Sequence, residues 1–253
     1  MQTLAQDLPR IPLARGAHAT PEDGMCVMEC VAYVMGEGHT YTPKCACPVA
    51  ATFAMYVNDN YFKVHEDALR QRVFLLAGSR QSEDVTVARA YYLFDCLLRT
   101  VIPAALRNTT LIKPPLKQAD AFASLRQVES PAQFPAVRSA AAKLKRYGHK
   151  IPALLAERIS YIAELFEKNT PPKMRVVAII HVFKLLATKL DVPETYGFKP
   201  VRIDVIGVLD ALLAIGDTED VPVSAEMAKR IATLANRPPR QPSSPRSWPA
   251  TNN

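Results

Sequence analysis

The stretch that decides the fold class runs from residue 151 to residue 190: IPALLAERISYIAELFEKNTPPKMRVVAIIHVFKLLATKL. Leu155, Ile159, Ile162 and Phe166 recur at steps of four, three and four, which places them on one face of a helix. The NTPPK break at 169–173 cannot continue that helix, because proline lacks the amide and clashes with the preceding turn. From Met174 the chain is apolar around most of a second helical circumference. That predicts a central helix, with His181 as a core histidine.

The same reading extends outward. Helical patterns are expected at 26–35, 48–58, 65–77 and 84–107, before the Pro114-Pro115 break. They are expected again at 118–127, 131–147, 203–215 and 224–236. Nine glycines in 253 residues are too few for a turn-dense β protein. The class expected is therefore all-α, a bundle-like array of about nine or ten helices. Residues 1–23 read as an extended leader, 24–107 as an N-terminal helical unit and 108–236 as a basic helical unit. The tail from Arg237 holds five prolines in 17 residues and is expected to be disordered.

Composition bounds the function. With 49% hydrophobic and 22% charged residues the balance is that of an ordinary globular chain. No apolar run reaches the ~18 residues of a membrane span, and the N-terminus has no export pattern. A cytoplasmic protein is expected, with its five cysteines reduced. Charge is unevenly placed. Residues 1–100 carry 9 Lys/Arg and 11 Asp/Glu, 101–200 carry 16 and 7, and 201–253 carry 6 and 6. The excess of cations in the middle calls for an acidic partner, with nucleic acid the first candidate.

Four of the cysteines fall between Gly24 and Tyr61, in GMCVMECVAYVMGEGHTYTPKCACPVAATFAMYVNDNY. A helix over 26–35 puts Cys26, Glu29, Cys30 and Tyr33 on one side. Cys47 then stands at the N-terminal edge of the next helix, where amides and the helix dipole favour a thiolate. Three readings compete. Cys26, Cys30, His39, Cys45 and Cys47 supply soft ligands for zinc, but neither cysteine pair has the common two-residue spacing. Cys47 or Cys26 with His39 or Glu29 supplies a nucleophile and a base, without any local motif of a cysteine hydrolase. Core packing needs neither, so no metal or other cofactor is predicted.

Glu29 is flanked by apolar residues and needs a partner if buried. The helix from 84 offers Arg89 and Arg99, with Asp95 one turn before Arg99. Glu29, Arg89, Asp95 and Arg99 are thus candidates either for an internal clamp or for a pocket that takes a carboxylate or phosphate. The clamp is the preferred reading. The pocket leads to an alternative function, an enzyme or small-ligand sensor with zinc at the cysteines.

Residues 24–107 also resemble a pattern of uncharacterised proteins of bacteria and their phages: Gly-x-Cys-x-Met-Glu, a Gly-Glu turn, Cys-x-x-Pro-Val, then Arg-Ala, Asp, Arg and Pro along one helix. The matching positions are Gly24, Cys26, Met28, Glu29, Gly36, Glu37, Cys45, Pro48, Val49, Arg89, Asp95, Arg99 and Pro103. The resemblance implies no established activity.

In the basic middle, RSAAAKLKRYGHK places Arg138, Lys143, Lys145, Arg146 and Lys150 within 13 residues and without an acid. Cations with Tyr147 among them suit phosphate contact and base stacking. The function expected is a non-enzymatic interaction protein that meets an acidic partner through this surface.

Overall fold

The computed structural model describes residues 13–109, 111, 113–187 and 201–235. The proline-rich tail and the first twelve residues of the leader lie outside them. The fold is all-α, with no strand among the described residues. No helix among them is long and apolar enough to cross a membrane. The chain forms two compact units, Met1–Glu83 with Val205–Asn253, and Asp84–Asp204. The sequence reading set its boundary at 107 instead. What it could not see is that the helices after 205 return to the first unit, because an amphipathic pattern does not say which partner its apolar face meets.

In the first unit, α1 (Val27–Met35) is capped at both ends. Cys26 precedes it in extended conformation, and Gly36 closes it at φ +80 with its amide bonded to the carbonyls of Ala32 and Tyr33. A long helix, α2 (Pro48–Gln71), starts on a proline at a favoured first position. The sequence suggested a break near Asn58, Asp59 and Asn60. The helix runs through because Asn58, fully buried, sends its polar groups sideways. Its Oδ1 accepts from the Val27 amide at 3.2 Å, and its Nδ2 donates to the Ala14 carbonyl at 3.0 Å.

A short α3 (Val73–Ala77) follows, and the unit is completed by α10 (Val205–Ala214) and α11 (Ala225–Ala235). α10 packs on α2, and α11 packs on α1. Arg230 of α11 donates to the Val34 carbonyl at 3.1 Å, satisfying one of the carbonyls left open at the end of α1.

Gly78 marks a tight backbone approach in this unit. A Cβ there would stand 2.5 Å from the Glu219 carbonyl oxygen, and backbone cannot step aside as a side-chain tip can. Gly78→Ala is therefore expected to cost about 1–3 kcal/mol. Urea unfolding checks this, with a lowered midpoint at unchanged slope.

The second unit contains α4 (Glu83–Cys96), which continues through a π-helical turn (Leu97–Val101) into α5 (Ile102–Arg107). Pro103 explains the widened turn. It has no amide to give the carbonyl four residues back, and the Ile102 amide bonds to Leu97 instead. Then come α6 (Leu116–Ala123), a single 3-10 turn (Pro131–Gln133), α7 (Phe134–Lys145), α8 (Lys150–Glu167) and α9 (Pro172–Ala187).

The core of this unit is aromatic. Phe166 lies 4.6 Å from Tyr91, 5.3 Å from Phe94 and 6.1 Å from Phe134, ring centre to ring centre. The guanidinium of Arg175, itself buried, sits 4.9 Å over the Phe166 ring and donates to Asn169 at 2.7 Å. His181 is exposed, not a core residue. The outer face of α9 is apolar at Met174 and Val177, so composition there hid the solvent side.

Candidate functional site

Two constellations stand out, one in each unit. The first is built around Glu29. Cys26 and Glu29 form a reciprocal cap: the Glu29 amide donates to Cys26 Sγ at 3.4 Å, and the Cys26 amide donates to Glu29 Oε2 at 2.7 Å. This is the capping box, with a thiol in the position usually held by serine or threonine. The leader supplies the rest. The His18 amide donates to Glu29 Oε1 at 3.0 Å, and His18 Nδ1 donates to Oε2 at 2.9 Å.

His39 closes the knot from the turn after α1, its Nε2 donating to the His18 carbonyl at 2.9 Å and lying 3.8 Å from Glu29 Oε1. Its Nδ1 is buried without a hydrogen-bond partner among the described residues.

The electrostatics follow from these bonds. Burial by itself would raise the Glu29 carboxyl. The hydrogen bonds from the His18 side chain, the His18 amide and the Cys26 amide outweigh it and hold the group below its ordinary value. Gly24 makes the approach of the leader feasible. Its φ is +121, and a Cβ would meet Ala14 at 3.0 Å and the His18 ring at 3.1 Å.

The sequence reading sought a guanidinium for Glu29. Its hydrogen bonds come instead from the leader and from its own helix start. Two signals pointed there: the Cys-x-x-Glu spacing, and a histidine in a leader otherwise poor in polar ring groups. The neighbouring Glu37 is a second local brace, accepting from the Lys44 and Cys45 amides. Burial of Glu37 opposes ionisation, yet those amides keep its carboxyl low.

The cysteines are packed. Cys26, Cys30 and Cys47 are buried and Cys45 is partly so, and none of the five forms a disulfide. Burial pushes the Cys30 thiol up to about 12, against the pull of the Arg70 charge. Burial, together with the Glu37 carboxylate, pushes Cys45 to about 12. Burial and then the Glu29 charge push Cys26 up as well. In all three, burial disfavours the thiolate, the form in which cysteine is most nucleophilic. Cys47 caps α2 without a side-chain cap bond, and its amide donates to Ser79 at 2.8 Å. Among the described residues no group of three or more His, Cys, Asp or Glu side chains is arranged to hold a metal ion.

Arg89, Asp95 and Arg99 belong to the second unit. Arg99 forks onto Asp95, with Nε to Oδ1 at 2.8 Å and Nη2 to Oδ2 at 2.9 Å. The buried Asp95 also accepts from the Val128 amide at 2.8 Å, so the pair ties the 124–130 connection to α4. The hydrogen bond to Asp95 raises the Arg99 pKa. Arg89 is fully buried.

The second constellation is the basic end of α7. Lys143, Arg146 and Tyr147 are spaced at three and four residues and share one side of the helix end. With Gln118 of α6 they line an open groove of about 400 Å³. The Tyr147 and His149 rings stack at 5.6 Å and 30°.

The five cations named from the sequence are not equivalent. Arg138 is committed to Glu167 by two hydrogen bonds of 2.8 and 2.6 Å. Lys145 lies 3.3 Å from Glu157 with both side chains well exposed, a pair of little strength. Lys143, Arg146 and Lys150 are exposed and make no ion pair among the described residues. Set against family models, curated proteins and solved structures, the chain matches none.

Proposed function

We propose that this chain is a non-enzymatic binding protein that meets an acidic macromolecule, nucleic acid, through the end of α7. The observation that carries the reading is the contrast among the five cations. Lys143 and Arg146 keep their charge unspent on an open groove and Lys150 is exposed without an ion pair among the described residues, while Arg138 is paired with Glu167. Neutralising phosphates with such cations releases counterions, the main source of sequence-independent nucleic-acid affinity. The Glu29 knot supports the same conclusion from the other side. Its carboxylate is filled by the chain's own donors, which suits a clamp for the leader.

The test is fluorescence anisotropy of a labelled oligonucleotide with the full chain at low salt. Replacing Lys143, Lys145 and Arg146 together by alanine is expected to weaken binding by roughly tenfold or more. Arg138→Ala, whose cation is already paired, is expected to change affinity by less than about twofold. Unchanged binding in the triple variant contradicts the proposal, as does an Arg138→Ala loss as large as that of the triple variant.

A further inference from the structure

We infer that the groove at the end of α7 takes an unpaired nucleotide, so that the partner is single-stranded nucleic acid rather than duplex. This deepens the reading above and rests on it. The first argument is size. The groove is open and holds about 400 Å³ between Gln118, Lys143, Arg146 and Tyr147. That suits one base with its sugar, and a base within a duplex is stacked and paired and cannot enter.

The second argument is the chemistry of the lining. Tyr147 lines the groove with a ring that is half-buried and therefore held in place, and the exposed His149 ring stacks against it to make an aromatic ledge. Every base has a π-face, so such a ledge receives bases without regard to sequence. Lys143 and Arg146 stand on the same groove for the flanking phosphates. Gln118 brings both a donor and an acceptor, enough to meet a base edge without choosing among bases.

The third argument is access. Lys143, Arg146 and His149 are exposed and Tyr147 is half-buried, so the groove they stand on is reached from solvent.

The experiment compares a labelled ten-nucleotide oligothymidine with a hairpin duplex of equal charge and with polyglutamate, each titrated with the full chain at low salt. The single strand is expected to bind about tenfold or more tightly than the duplex. Tyr147→Ala is expected to weaken single-strand binding about tenfold, and Tyr147→Phe, which keeps the ring, to retain it. A melting curve on each variant confirms that the fold is kept.

Equal affinity for strand and duplex, with Tyr147→Ala silent, overturns the single-strand inference while leaving the basic surface as a nucleic-acid contact. Binding to polyglutamate but to neither nucleic acid overturns both readings and gives the surface to an acidic protein. No binding to any of the three also overturns both.

Discussion

Glu29→Ala is expected to lower unfolding stability by about 3–5 kcal/mol, since each buried donor left without an acceptor costs about 1–3 kcal/mol. The substitution leaves the Cys26 amide, the His18 amide and the His18 ring without their acceptor, all at a side chain that is 2% exposed. Glu29→Gln keeps the shape and one acceptor, so its loss is expected to be smaller. It also allows the charge to be isolated by pH. The folded-state carboxyl is held below its unfolded value, so its contribution is fully present at neutral pH and drains away as pH falls through the carboxylate range. The stability gap between wild type and Glu29→Gln should accordingly close between about pH 5 and pH 2. Urea midpoints across that range measure it. A gap independent of pH would mean that Glu29 acts through packing alone.

Phe166→Ala is the second large effect, again about 3–5 kcal/mol. Phe166 lies at the centre of Tyr91, Phe94 and Phe134, and its ring face also carries the Arg175 guanidinium. Deleting the ring opens a cavity and strips a buried cation of its π-face in one step. Phe166→Leu, which keeps most of the volume, separates the two terms. It should recover much of the packing but none of the cation–π contribution, worth about 1–2 kcal/mol when desolvated. Full recovery by leucine would remove the role given to Arg175.

How far these features could be read beforehand depends on the range of the interaction. Phe166 was placed on a core stripe from spacing alone, since helical periodicity is a local property. The basic end of α7 was visible for the same reason, as charge and an aromatic within a dozen residues. Glu29 was correctly suspected of needing partners, but the partners were sought on a distant helix. They came from Cys26, three residues back, and from His18 in a segment without periodicity. A cysteine in a capping box is easily overlooked, because its sulfur is a weak acceptor.

The commitment of Arg138 to Glu167, 29 residues away, was invisible. Only the packing of α7 against α8 decides which cations are spent. The expected gap between 58 and 65 is absent because the Asn58 side chain finds tertiary partners in the Val27 amide and the Ala14 carbonyl and does not compete with the helix backbone.

The claim on which the functional account rests is that free cations at the end of α7 neutralise phosphates. The salt dependence of single-strand affinity tests it most directly. The logarithm of the binding constant should fall linearly with the logarithm of salt concentration, with a slope of about −2 for three phosphate contacts on a single strand. The Lys143→Ala, Arg146→Ala double variant, left with one such contact, should flatten that slope to about −0.7. An identical slope in wild type and double variant would place the nucleic-acid contact elsewhere on the chain.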